Sequence, residues 1–148
     1  LAYLPESCKI SLKKLSPYYV PKILVNMPAG QVSIRYGLKG PVHSVATACA
    51  AGTHSIGDAY NFIRLNYADI MLAGGSDASI GPMSLSGFSR MKALSTGGIT
   101  ASRPFDSSRN GFVIGEGSGI IVLEELSSAL SRNANIIAEV LGYGITGD

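Results

Sequence analysis

The sequence predicts an α/β fold, and three observations carry that prediction. Short apolar, β-branched runs alternate along the chain with stretches whose apolar residues recur at helical spacing. The composition suits an interior: 46% of the 148 residues are hydrophobic and only 15% are charged, against about 25% charged in an average domain. Glycine is abundant, at 18 residues, and it flanks the apolar runs between residues 111 and 123, where close backbone packing is expected.

The elements follow in order. Leu1–Ser16 is mixed in character, with a basic cluster at Lys9, Lys13 and Lys14. Pro17, Pro21 and Pro28 punctuate the next stretch. Apolar Ile23, Leu24, Met27, Val32 and Ile34 predict a broken helix over Val20–Tyr36 that ends near Gly37. Pro21 is compatible with a first helical turn. Gly40-Pro41 signals a turn, and Val42–Ala48 reads as a short buried strand. Cys49 follows at once. Ala51, Ser55, Ala59, Phe62 and Ile63 put a small-to-large apolar stripe on a helix over Ala50–Tyr67. Asp69–Gly74 reads as a second buried strand, Pro82–Met91 as a short helix and Lys92–Asn110 as a polar, glycine-rich loop. Phe112–Ile114 and Ile120–Leu123 predict a hairpin or a bulged strand pair. Glu124–Asn133 is expected to be a helix and Ile136–Tyr143 a final strand.

Several function classes fall away. A net charge of +2 carries no general nucleic-acid signature. No apolar run approaches the roughly 18 residues of a membrane helix. The two cysteines, Cys8 and Cys49, are too few for a disulfide framework, and nothing in their spacing argues for a bridge. No Cys/His pair has the spacing of a zinc site, so no metal is expected. The chain starts at Leu1 and stops after the apolar run 136–144. With the low charge, this suggests a piece of a larger protein.

The sharpest local feature is Val45-Ala46-Thr47-Ala48-Cys49-Ala50-Ala51-Gly52. A strand-like run ends, small residues crowd a tight turn, and a helix begins. A nucleophile on such a junction is held exposed at a sheet's end, as in a nucleophile elbow. The helix N-terminus offers N–H groups and the positive end of its dipole, which favour thiolate over thiol and can stabilise an oxyanion. The competing reading is a buried, inert cysteine. Cys8 lacks such a context and reads as inert. His54 follows Cys49 by five residues, about 140° around a helix, so the two side chains do not share a face. His43 sits near the end of the strand-like run far from Cys49. Both histidines read as structural, and no complete Cys–His machine is encoded.

Arg103-Pro104-Phe105-Asp106-Ser107-Ser108-Arg109 packs two arginines and an aspartate around a turn. A structural network that stiffens the loop is preferred over direct catalysis. Gly115-Glu116-Gly117-Ser118-Gly119 lacks a third glycine at Ile120 and opens no helix, so a dinucleotide reading fails. Lys13, Lys14, Arg90 and Lys92 are either solvated charge or contacts for an acidic partner.

Five runs together resemble a known family. They are Thr47-Ala48-Cys49-Ala50-Ala51-Gly52, then Ala68-Asp69-Ile70-Met71-Leu72-Ala73-Gly74-Gly75, then Gly87-Phe88-Ser89-Arg90-Met91-Lys92-Ala93-Leu94-Ser95-Thr96, then Arg103-Pro104-Phe105-Asp106, and Gly111-Phe112-Val113-Ile114-Gly115-Glu116-Gly117. They resemble the elongating β-ketoacyl-[acyl-carrier-protein] synthases of type II fatty-acid synthesis, the KAS I/II group. The surrounding residues look most like its mitochondrial members, with bacterial KAS II close behind.

The resemblance implies a thiolase-like αβαβα fold, layered from two similar halves and forming a homodimer. Residues 1–148 would be the central part of it, mainly the N-terminal half without its start. It implies a decarboxylative Claisen condensation. An acyl chain moves from acyl carrier protein to the nucleophilic cysteine, matched by Cys49, and malonyl-carrier then loses CO2 and attacks it. Phe88 matches a residue lining the acyl pocket. Lys13, Lys14 and Lys92 match positions that meet the acidic carrier. Arg103, Asp106 and Arg109 match a structural motif near the site. No organic cofactor is implied, and neither nucleic acid nor membrane is an expected partner. The location implied is the mitochondrial matrix, with bacterial cytoplasm or plastid as alternatives. The family's two catalytic histidines, a lysine and a Gly-Phe-Gly-Gly loop are absent from these 148 residues. The chain by itself is therefore expected to be inactive. The alternative is a truncated, non-catalytic interaction piece. Among thiolase-fold enzymes, Ala50-Ala51-Gly52 favours the discrete elongating type over thiolase, initiating or polyketide forms.

Overall fold

The computed structural model describes residues 14–147. The chain divides into two compact units, Leu1–Ala46 and Thr47–Asp148. Lys13, with Cys8 and Lys9, lies outside the described residues.

In the first unit the broken helix is present. It consists of α1 (Tyr19–Ile23) and α2 (Met27–Tyr36). Pro21 sits in the first turn of α1, where a missing N–H costs nothing. Pro28 does the same in α2, and Gly37, left-handed at φ 64, closes α2 with its N–H on the Ser33 carbonyl. The Ser44 hydroxyl donates to the Val25 carbonyl at 3.0 Å, tying the run after α2 back to the α1–α2 break.

No strand forms over Val42–Ala48 in the described residues, contrary to the sequence expectation. The run has no regular secondary structure and is mostly exposed, and its end enters a 3-10 turn over Ala48–Ala50. An apolar β-branched run has the propensity for a strand, but a strand also needs a ladder partner, which local pattern does not supply.

The second unit contains α3 (Ala51–Arg64), β1 (Ile70–Asp77), α4 (Pro82–Arg90), β2 (Gly117–Glu124) and α5 (Leu126–Ser131). β1 and β2 pair antiparallel from Ile70↔Glu124 to Asp77↔Gly117. This corrects the expected hairpin between Phe112–Ile114 and Ile120–Leu123. β1 offers β2 an eight-residue ladder with apolar cross-strand pairs Met71↔Leu123, Leu72↔Val122 and Ala73↔Ile121. Phe112 bridges instead to Leu94, exchanging bonds with Ala93 and Ser95 at 3.0 and 2.9 Å.

β1 is also less buried than expected. Ala73 is buried and Met71 half-buried, while Ile70 and Leu72 are exposed. The alternation arises because α3 packs on the two-stranded sheet at one face. Among the described residues the buried ones are small: Gly57, Ala59, Ala73, Ala101 and Ala129. Ile136–Tyr143 forms no strand among the described residues, although its Tyr143 ring packs over α3 against Gly57. Among the described residues no helix is long and apolar enough to cross a membrane.

Asparagine closes two of these helices. Asn66 after α3 and Asn133 after α5 are left-handed at φ 59 and φ 54, a conformation asparagine tolerates at helix ends. α5 begins on Glu125, whose carboxylate accepts from the Ser128 N–H at 2.9 Å.

Candidate active site

Cys49 is a free, exposed thiol in the 3-10 turn immediately before α3. The competing expectation of a buried thiol is not met. The turn is built by an unusual backbone. Thr47 is at φ −119, and Ala48 is left-handed at φ 50. That region costs an alanine about 1–2 kcal/mol, so surrounding contacts must hold it. One is the Ala50 N–H on the Thr47 carbonyl at 3.1 Å. Another is side chain to side chain: Thr47 Oγ1 lies 2.8 Å from His54 Nδ1.

The helix behind the turn is seated by small residues. A Cβ on Gly75 of β1 would make van der Waals contact with Gly52 Cα at 3.4 Å, so the first turn of α3 packs directly on the strand. The Gly74 N–H donates to Ser55 Oγ at 3.2 Å, pinning α3 to β1. Gly74 is at φ 153, and a Cβ there would collide with the Gly119 carbonyl. No side chain caps the N-terminus of α3, and its first turn holds no acidic residue. The positive end of the helix dipole therefore faces the turn that carries Cys49. An exposed thiol on a strained turn at a helix N-terminus is accessible to a bulky electrophile such as a thioester.

Phe88 lies on α4, its ring edge-to-face with Phe112 at 5.2 Å and 81°. The Leu94↔Phe112 bridge holds that partner in place. Lys92 closes α4 in a left-handed conformation, φ 56, and is exposed. Lys14 is exposed in the first unit. Lys13 lies outside the described residues.

The loop carrying Arg103, Asp106 and Arg109 holds a hydrogen-bond network that runs through Ser108 and not through an arginine–carboxylate pair. Arg103 Nη1 donates to Ser108 Oγ at 2.9 Å. The Ser108 hydroxyl and N–H both donate to Asp106 Oδ1 at 2.7 Å, which holds the Asp106 carboxyl below its ordinary value. Arg109 Nη1 donates to the Asp106 carbonyl at 2.8 Å. The sequence reading had named the arginines and missed the serine. Glu116, from the glycine-rich run, accepts from the Ile80 N–H at 2.9 Å and so braces the entry to α4. The run itself leads into β2, not a helix.

The Thr47–His54 contact was also missed. A helical wheel started at Cys49 places His54 on another face, but the regular helix begins only at Ala51. His54 reaches back past Cys49 to Thr47, and its ring meets Tyr143 edge-on at 6.3 Å.

The family model for the beta-ketoacyl synthase N-terminal domain matches residues 4–129. The chain therefore belongs to the β-ketoacyl synthase family, and its fold class is thiolase-like α/β. It is 59% identical over 136 residues to the Saccharomyces cerevisiae 3-oxoacyl-[acyl-carrier-protein] synthase homolog, covering 92% of this chain and 30% of that protein. It is 56% identical over 145 residues to the mitochondrial 3-oxoacyl-[acyl-carrier-protein] synthase of Arabidopsis thaliana, covering 95% and 32%. A ketosynthase of a type II polyketide system, solved in complex with its acyl-carrier protein, superposes with a TM-score of 0.80 at 36% identity, covering 86% of this chain and 32% of that one. The chain thus spans about a third of the length of the relatives it matches.

Proposed function

We propose that the protein to which this chain belongs is a 3-oxoacyl-[acyl-carrier-protein] synthase, and that this chain is its central part and supplies the nucleophile. The observation that carries the reading is Cys49, exposed on a strained turn at the uncapped N-terminus of α3. In the first half-reaction the Cys49 sulfur attacks the acyl thioester carbonyl. A new C–S bond forms, and the carrier thiol leaves with a proton. The positive end of the α3 dipole stabilises the oxyanion. Phe88, braced by Phe112, lines the pocket that takes the acyl chain. In the second half-reaction malonyl-carrier loses CO2, and its carbanion attacks the acyl carbon and releases Cys49. The two histidines and the Gly-Phe-Gly-Gly loop that serve this step are supplied from outside residues 1–148.

The partner is an acyl carrier protein, met by Lys13, Lys14 and Lys92, and the full protein acts as a homodimer. The mitochondrial relative from Arabidopsis thaliana supports a mitochondrial location, and the matrix is the compartment we propose. The exposed apolar residues of β1 and β2, Ile70, Leu72, Ile120 and Val122, support a chain that packs within a larger layered fold. Arg103, Asp106 and Arg109 stay structural, keeping the loop after α4 stiff.

The test is acylation of the full-length protein. Incubation with an acyl thioester of acyl carrier protein is expected to add one acyl mass on Cys49, and Cys49→Ala is expected to abolish it. Retention of the adduct in Cys49→Ala would sink the assignment.

A further inference from the structure

We propose that His54 is a positioning residue for Cys49, acting through the Thr47 hydroxyl. The inference rests on Cys49 being the nucleophile of the proposed function. Thr47 and His54 bracket the cysteine in sequence, and their side chains meet: Thr47 Oγ1 and His54 Nδ1 are 2.8 Å apart. Between them lie left-handed Ala48 at φ 50 and the 3-10 turn. A backbone in that region persists only where its surroundings over-determine it. One end of the clasp lies just before the 3-10 turn, and the other lies on α3. His54 belongs to α3, whose next residue, Ser55, accepts from the Gly74 N–H of β1 at 3.2 Å. The His54 ring is also steadied by Tyr143, edge-on at 6.3 Å, and Tyr143 in turn packs against Gly57.

The chain of contacts therefore runs from the sheet, through α3, to the residue before the strained alanine. With the imidazole in its Nε2–H tautomer, the Thr47 hydroxyl donates its proton to Nδ1. The threonine side chain then has one orientation, and the backbone carbonyl that accepts from Ala50 is held with it. His54 does this without reaching the sulfur, and so differs from the histidines that act on malonyl-carrier. A few tenths of an ångström at the nucleophile matter because attack on a thioester needs a defined approach.

The test is a double-mutant cycle in the full-length protein, read by two rates. One is alkylation of Cys49 by iodoacetamide, and the other is acyl transfer from acyl-carrier protein, with the melting temperature measured alongside. Thr47→Val keeps the side-chain shape and deletes the hydroxyl. His54→Phe keeps a ring against Tyr143 and deletes Nδ1. Each is expected to slow both rates about tenfold. The double variant is expected to be no slower than either single, because one contact is lost in all three. Thr47→Ser and His54→Asn are expected to restore the rates to within about threefold. The loss should fall on kcat, with KM for the carrier unchanged. Rates within about twofold of wild type in Thr47→Val, or losses that multiply in the double variant, would overturn the proposal. So would a loss confined to KM or to melting temperature. Should His54→Phe fail to fold, Thr47→Val against Thr47→Ser decides alone. A wild type that takes no acyl group from the carrier sinks the synthase reading, while the alkylation rates still judge the clasp.

Discussion

Replacing Gly74 with alanine probes how the sheet holds the turn that carries Cys49. Gly74 sits in β1 at φ 153, opposite Ile120. A Cβ built there collides with the Gly119 carbonyl oxygen and comes to 3.0 Å from both the Gly119 carbonyl carbon and Ile120 Cα. All three are backbone atoms, so no rotamer change relieves the clash, and the strand pair must separate locally. The strained φ contributes about 1–3 kcal/mol. Two ladder hydrogen bonds lost add about 1 kcal/mol each. The sum, about 3–5 kcal/mol, is a large share of a typical folding free energy of about 5–15 kcal/mol. The assay is urea unfolding of the full-length protein followed by circular dichroism. With a slope of about 1–3 kcal/mol per molar, the midpoint should fall by about 2 M. Gly75 is the control on the adjacent position. A Cβ there meets Gly52 Cα at 3.4 Å and Gly52 N at 3.8 Å, which is ordinary contact. Gly75→Ala should therefore move the midpoint by less than about 0.5 M. Equal effects of the two substitutions, or a Gly74→Ala midpoint within about 0.5 M of wild type, would refute the reasoning.

Three further outcomes are expected. At Ala48, glycine relieves a left-handed strain of about 1–2 kcal/mol but carries about 0.5–1 kcal/mol of extra chain entropy, so Ala48→Gly should melt close to wild type. Ala48→Val puts a β-branched residue at φ 50 and should melt well below it; equal melting of the two variants would argue against a left-handed turn. The Glu124 carboxyl is 8% exposed and lies below its ordinary value of 4.5, chiefly through the Arg132 guanidinium at 2.6 Å and next through the Ser128 hydroxyl. A lowered folded-state value means this stabilisation is complete above pH 4.5 and is lost as pH falls through the folded value. Wild type minus Glu124→Gln melting temperature should thus be positive at pH 7 and shrink in acid, and a difference independent of pH would contradict the pairing. Lys92→Glu should raise KM for acyl-carrier protein about tenfold, most at low salt, with kcat unchanged; an unchanged KM removes Lys92 from the carrier surface.

Much of the local structure was legible in the residues. The break between α1 and α2 follows from the prolines, and α2 stops at Gly37 because glycine accepts a left-handed cap. The stripe Ala51, Ser55, Ala59, Phe62, Ile63 lies on α3, with Ala59 only 2% exposed. α4 and α5 fall within their expected ranges. Each of these depends on contacts within a turn or two, which periodicity encodes directly. Strand pairing was less legible. Ile120–Leu123 was matched to nearby Phe112–Ile114, whereas its ladder partner lies some fifty residues away in β1. Val42–Ala48 and Ile136–Tyr143 have strand composition but no ladder among the described residues.

The site divides the same way. The sequence by itself determined that Cys49 stands between a strand-like run and a helix, among residues too small to cover it, because chain order and side-chain size are local properties. Only the tertiary structure decided that Ala48 turns left-handed, that Ser108 links Arg103 to Asp106, and that His54 reaches back to Thr47. Those contacts depend on where α3 is seated against β1 and on how a loop folds over itself. They are set by packing in three dimensions, which residue spacing does not encode.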